Sequence, residues 1–274
     1  MPVSEVEVLA AGALTTIQDR GRPGWAHLGV PRAGALDAPA ADLANRLVGN
    51  PPGTAVLETV LGGLTLHNRG PGRWAALTGA SGPLTLWWAA GEELSVRMPA
   101  YGLRSYLAVA GGFDVAPVLG SRSTDTLAWV GPPRVVDGAV LPLGEPTGAP
   151  RAVDVPPARR PGGLRVLPGP RADWIRSLEP LFASEWTVRT ESDRIGLRLD
   201  GPALERARAD ELASEGMVLG AIQVPPSGRP IVFLADHPPT GGYPVVGVVH
   251  HDDLWQCAQA RPGDPIRFRR AARG

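Results

Sequence analysis

Three polar, glycine-flanked stretches interrupt otherwise apolar, strand-like sequence, and they carry residue types able to bind and activate a small molecule. The first runs from Thr16 through Gln18, Asp19, Arg20 and Gly21 to Gly24, then on through Gly29 and Gly34 to Asp37. Such a stretch can wrap a ligand with backbone amides and an arginine, or it can be a long surface loop. The second, Glu191 to Gly196, places Asp193 and Arg194 ahead of an alternating strand, as a substrate clamp or as an ion pair holding a turn. The third runs from Ala235 to Pro244 and contains Thr240, Gly241, Gly242 and Tyr243; Glu215 and Gln223 lie upstream of it. Amides, a hydroxyl and a phenol at a strand mouth suit a carbonyl or carboxylate, whereas the plain alternative is a bulged hairpin.

Other patterns argue against specific chemistries. His250-His251-Asp252-Asp253 has the composition of a metal cluster. Neighbouring side chains on a strand point to opposite faces, so a strand end followed by a helix cap is the favoured reading and no metal site is expected. Gly79-Ala80-Ser81-Gly82 approaches a nucleophile elbow but has Pro83 where the second glycine of that motif belongs. All 27 basic residues are arginine. With no lysine, this chain cannot form a Schiff base, carry biotin or lipoate, or grip phosphate with a P-loop lysine.

Charge balances at 27 basic against 27 acidic residues, so no global field gathers nucleic acid or an anionic membrane. A single cysteine, Cys257, and the lack of a long apolar run or charged-then-apolar leader lead us to expect a cytoplasmic setting. The 35 glycines and 30 prolines are spread without a repeat, which suits many short strands joined by tight turns. Strands are expected near 5–9, 55–61, 74–77, 84–88, 94–97, 103–108, 164–167, 186–189, 195–199, 222–224, 231–234, 245–249 and 265–268. Helices are few: Asp37 should cap 38–48, an apolar face spans Trp174 to Phe182 with Pro180 shortening it, and Asp252 should cap 253–260. The Pro- and Arg-rich stretch 146–163 reads as a linker between an N-terminal lobe, 1–145, and a C-terminal lobe, 164–274. Trp87 and Trp88 are neighbours on one strand, so at most one of them need be core.

Taken in order, the blocks Thr15–Pro31, Ala35–Asp37, Leu43–Pro51, Val56–Thr59, Leu107–Asp114, Leu119–Asp125, Leu164–Pro170, Ser192–Pro202, Ser214–Ile231 and Thr240–Gly247 are spread along nearly the whole chain. In sequence and order they resemble the biotin-dependent carboxyltransferase-like family, within it most nearly the C subunits of prokaryotic ATP-dependent 5-oxoprolinases. The family also holds the second protein of the Kip pair and the carboxyltransferase region of urea carboxylase. The older label of allophanate hydrolase, second component, requires an amidase Ser-Ser-Lys triad, which a chain without lysine does not have.

The resemblance implies a mainly β fold, two cyclophilin-like β-barrel lobes with a few short helices. It implies a hetero-oligomer with two further proteins, one of the B type (the first protein of the Kip pair) and one of the A type, and a small cyclic amide as substrate. ATP is implied for the complex rather than necessarily for this chain, and biotin only if the chain is a carboxyltransferase component acting on a urea-like acceptor. A non-catalytic binder of a kinase inhibitor is the third reading. Carried onto this sequence, the site comprises Asp193, Arg194 and Tyr243 as catalytic residues, with Arg194 as anion clamp and Asp193 as its orienter. Gln18, Asp19, Arg20, Asp37, Glu215, Gln223, Thr240, Gly241 and Gly242 are substrate-binding. Two stretches depart from the pattern: Pro31-Arg32-Ala33-Gly34 replaces a Pro-Pro-Ser-Gly type turn, and His237-Pro238-Pro239 stands where more polar residues usually precede Thr-Gly-Gly.

Overall fold

A computed structural model of the chain describes residues 4–151, 159–208 and 210–272. Two compact units emerge: one is Met1–Arg22, Ala33–Asp125 and Trp129–Ala158, and the other is Pro23–Arg32, Thr126–Ala128 and Arg159–Gly274. Of the expected linker, residues 152–158 lie outside the described residues.

The first unit contains two antiparallel sheets. One orders its strands Glu93–Val96, Leu64–Asn68, Glu5–Ala11 and Val140–Pro142; the other orders them Leu14–Gln18, Val56–Val60, Arg104–Val109, Arg73–Gly79 and Leu84–Trp88. Alternation decides what each strand buries. Val6, Val8, Leu64, Leu66 and Val96 from the first sheet join Ile17, Leu57, Leu77, Trp88 and Leu107 from the second in one core. The five-stranded sheet is apolar on both sides. Its other face, Val56, Ala76, Tyr106 and Ala108, meets Ala40, Ala41, Ala44 and Leu47 of the helix Ala38–Leu47. The small helix residues let backbone approach sheet, which is why Arg104–Val109 is buried along its full length. Asp37 caps this helix as expected, its carboxylate accepting from Ala40 N at 3.1 Å. Trp88 is core and Trp87 is exposed, edge-on to Trp74.

The second unit is a closed seven-stranded barrel. Its order is Leu164–Pro168, Val245–Val249, Ala221–Gln223, Ile231–Phe233, Gly196–Asp200, Glu185–Val188 and Pro265–Arg270. All pairings are antiparallel except the closing one, where Leu164 pairs in parallel with Phe268. Trp186, Leu197, Leu199, Ile222, Val232, Val249, Ile266 and Phe268 are buried in this unit. Gly247 permits close packing of two barrel strands, since a Cβ there would lie 2.4 Å from Val166 Cγ1. A two-residue ribbon pairs Glu215–Gly216 with Thr240–Gly241.

Two helix expectations need correction. The apolar face from Trp174 to Phe182 is not one helix but a 3-10 turn, Ala172–Trp174, and a short helix, Glu179–Ala183, with Pro180 in its first turn. Asp252 does not cap the last helix: His250 caps a 3-10 turn, His251–Asp253, that leads into Leu254–Gln259. The reason is Arg165, whose N, Nε and Nη2 all donate to Asp253 at 2.8–2.9 Å and fix the turn from below.

Candidate functional site

In the barrel unit, one end gathers Glu215, Gln223, Thr240, Gly241, Gly242 and Tyr243, six of the residues singled out from sequence. The ribbon register sets Glu215 opposite Gly241 and Gly216 opposite Thr240. Beneath it lies Gln223, buried on the strand Ala221–Gln223, whose Nε2 donates to the carbonyl of Tyr243 at 3.1 Å. Gly241 has no side chain for a steric reason, because a Cβ there would stand 2.8 Å from Gln223 Nε2. A Cβ built on Gly242 would lie 3.3 Å from the carbonyl oxygen of Leu212. Tyr243 is 44% exposed at this end. Glu215 is gripped by Arg171, which donates from Nε at 3.0 and 3.1 Å and also from Nη2. That hydrogen bonding holds the Glu215 carboxyl below the usual carboxylate range and keeps it ionised.

Next to the ribbon in sequence, Asp236 and His237 turn inward. Asp236 is 0% exposed and receives Arg194 Nε at 2.9 Å and Nη2 at 3.1 Å, while Thr126 donates from N at 2.9 Å and Oγ1 at 2.7 Å. The Arg194 guanidinium is therefore held by Asp236, not by Asp193. Asp193 holds the turn, its Oδ1 accepting from Ile195 N and Gly196 N at 2.8 and 3.0 Å. His237 Nδ1 lies 2.8 Å from the carbonyl of Pro238. A carbonyl only accepts, so Nδ1 carries the proton and Nε2 is the basic nitrogen. Burial, with the charge of Arg32 in support, lowers the imidazole pKa and keeps the ring neutral at physiological pH. Gln223 and Arg171 direct these donors to the carbonyl of Tyr243 and to Glu215, Tyr243 carries a phenol, and His237 carries a neutral imidazole, group types that suit a carbonyl or carboxylate and a proton acceptor.

In the sheet unit, the four selected side chains are all engaged locally. Gln18 is buried and donates to Thr16 Oγ1 and to the carbonyl of Thr124, both at 3.0 Å. Asp19 is a hub: Gly21 N at 2.7 Å and Ser121 Oγ and Ser123 Oγ at 2.6 Å donate to Oδ1, and Arg122 N at 2.6 Å donates to Oδ2. Arg20 is exposed and paired with Asp42 at 3.0 Å. Asp37, besides capping its helix, donates its N–H to Tyr106 OH at 2.7 Å, and Tyr106 donates to Glu58 Oε2 at 2.8 Å. Burial beside Glu58 and Asp37 pushes the Tyr106 phenol well up, so it stays a protonated donor. Gly34, at φ 103°, threads against Arg20 and Gly21 so closely that a Cβ would lie 3.0 Å from their backbone.

Sequence reasoning missed Asp236, Thr126, Arg171 and His237 as participants. Asp236 and His237 lay within a selected stretch, but Arg194 is 42 residues from Asp236 and nothing in local spacing links the two. No spacing signal links Arg171 to Glu215, which follows it by 44 residues.

With this geometry in view, the comparisons are decisive at the level of family. Residues 28–270 match the carboxyltransferase domain, subdomains A and B. The chain belongs to the carboxyltransferase domain family. It is 40% identical to the 5-oxoprolinase C subunit of Escherichia coli, over 96% of this chain and 90% of that protein. It is 33% identical to urea amidolyase of Saccharomyces cerevisiae, over 96% of this chain but only 16% of that protein. Its fold matches the crystal structure of TTHA0988 at a TM-score of 0.86 and 38% identity, covering 97% of this chain and 56% of that one. The chain thus spans about half the length of that solved relative. Among the described residues no helix is long and apolar enough to cross a membrane.

Proposed function

We propose that this chain is the C subunit of an ATP-dependent 5-oxoprolinase, opening 5-oxoproline to glutamate together with A and B subunits. The observation that carries the reading is the near end-to-end match to the E. coli C subunit, 96% of one chain against 90% of the other. In the urea amidolyase the same region is a minor part of a far larger protein.

The barrel-end residues supply a rationale. Phosphorylation of the lactam oxygen turns a stable amide into a hydrolysable imidate, and fixed donors aimed at the developing oxyanion are the tools for its turnover. Gln223, the Thr240–Gly242 backbone and Arg171 are suited to orient the substrate carbonyl and carboxylate, with Tyr243 as wall or proton donor. Neutral His237 is suited to take a proton from attacking water. Arg194, buried against Asp236, is a positioning residue in this reading: it fixes the backbone from which His237 projects. Without lysine this chain offers no P-loop, so the reading needs the nucleotide held elsewhere in the assembled complex or, in this chain, by arginine and backbone amides.

The carboxyltransferase reading stands second, on the match to urea amidolyase. It requires a biotin carrier on another chain. The two separate cleanly in the assembled complex treated with avidin. ATP-dependent glutamate formation from 5-oxoproline that persists with avidin supports the oxoprolinase. Avidin-sensitive, bicarbonate-dependent consumption of a urea-like acceptor in its place would replace it.

A further inference from the structure

Where the chain leaves the barrel strand Val245–Val249, two histidines and an aspartate converge in a way that the strand argument against a shared ion did not anticipate. His250 lies one residue past the strand and already carries cap geometry, φ −59° and ψ 135°, and His251 begins the 3-10 turn. The opposite-face rule therefore does not apply to this pair. Their rings stack with centroids 4.7 Å apart at 30°. Asp252 Oδ1 is 2.8 Å from His251 Nε2. His250 Nδ1 accepts from Asp252 N at 3.4 Å as the cap, which leaves its Nε2 as the nitrogen for an ion. One ligand atom from each of the three residues can be chosen so that all lie within 4.8 Å of one another.

The support beneath the trio is firm. His250 N donates to the carbonyl of Arg165 at 2.8 Å, and Arg165 is locked onto Asp253 while its Nη2 reaches Asp252 Oδ2 at 3.5 Å. The turn is thus tied to the barrel strand Leu164–Pro168. We infer that His250, His251 and Asp252 form a binding site for a divalent transition-metal ion. Two imidazoles and one carboxylate are the donor set of zinc, nickel and copper rather than of magnesium or calcium, which take oxygen ligands. Three protein ligands on an exposed turn leave one or more coordination positions open to water or to a donor from a partner. The site is separate from the barrel-end residues above and does not depend on the proposed activity.

The test uses tag-free full-length chain, titrated calorimetrically with zinc, nickel and magnesium chlorides. Expected are one zinc or nickel ion per chain, no heat with magnesium, and about tenfold or greater loss of affinity in His251→Ala and in Asp252→Asn. His67→Ala, which alters a histidine elsewhere, should bind as the wild type does. Since His251 and Asp252 are exposed, these variants keep the fold. Copper(II) bound to the wild type should give an electron paramagnetic resonance spectrum with two coupled nitrogens, and with one in His251→Ala. The inference is overturned by the lack of saturable zinc or nickel binding, or by binding that His251→Ala and Asp252→Asn leave unchanged.

Discussion

Substituting Asp236 by alanine tests whether the Arg194–Asp236 pair organises the barrel end. The two side chains are 1% and 0% exposed, and the carboxylate accepts four hydrogen bonds, two from Arg194 and two from Thr126. Removing one member of a buried ion pair costs roughly 3–5 kcal/mol, because the remaining charge stays desolvated. Thr126 also loses its acceptor, at about 1–3 kcal/mol, while water entering the space left by the carboxylate returns part of both. We expect a net loss of about 4 kcal/mol. With a urea m-value of roughly 2 kcal/mol/M, the midpoint of the barrel transition should fall by about 2 M. Tryptophan fluorescence, to which the buried Trp186 contributes, follows that transition when the buried tryptophan of the sheet unit, Trp88, is replaced by phenylalanine in every variant compared. The double variant Arg194→Met with Asp236→Leu removes both charges together and should cost less than Asp236→Ala alone. An Asp236→Ala protein within about 1 kcal/mol of wild type, or a double variant worse than the single, would refute the reasoning.

Three further outcomes are expected. Burial pushes the Cys257 thiol up to about 12, so it should resist thiol reagents at pH 8 in the native state and react once urea unfolds the chain. His237 has a folded pKa below its ordinary 6.5. The unfolded chain therefore binds a proton that the folded ring refuses, and stability should fall as pH drops from 6.5 toward the folded value. That slope should flatten in His237→Asn when urea midpoints are compared across pH. Gly241→Ala pushes a methyl against the end of the Gln223 side chain rather than against backbone and displaces its bond to the carbonyl of Tyr243, so the urea midpoint should fall modestly, by the contribution of about one hydrogen bond. Coupled turnover should drop severalfold with a raised KM for 5-oxoproline, and an unchanged KM would remove Gln223 from the substrate-binding set.

The strands legible in the sequence were those whose apolar residues run or alternate, such as Val245–Val249 and Pro265–Arg270. Leu14–Gln18 escaped because Thr15, Thr16 and Gln18 are polar yet buried, with Thr15 Oγ1 donating to Thr59 Oγ1 and Gln18 Nε2 to the carbonyl of Thr124, which periodicity cannot see. Leu64–Asn68 does alternate, Leu64 and Leu66 inward against Thr65 and His67, but the alternation holds only two apolar residues before the buried Asn68, which donates to the carbonyls of Pro71, Trp88 and Ala89. The ribbon that pairs Glu215 with Gly241 is only two residues long on each side, too short for any pattern. The proximity of Glu215, Gln223 and the Thr-Gly-Gly-Tyr stretch followed from the family blocks. The partner of Arg194 did not, because a buried ion pair across 42 residues depends on barrel closure and leaves no local trace.

The central claim is tested most directly by reconstitution. Glutamate formation from 5-oxoproline and ATP is measured with this chain and its A and B subunits, omitting each in turn from an otherwise verified complex. The account predicts full turnover with all three and its loss when this chain is left out. Undiminished turnover without this chain, or none in the intact complex, would contradict it.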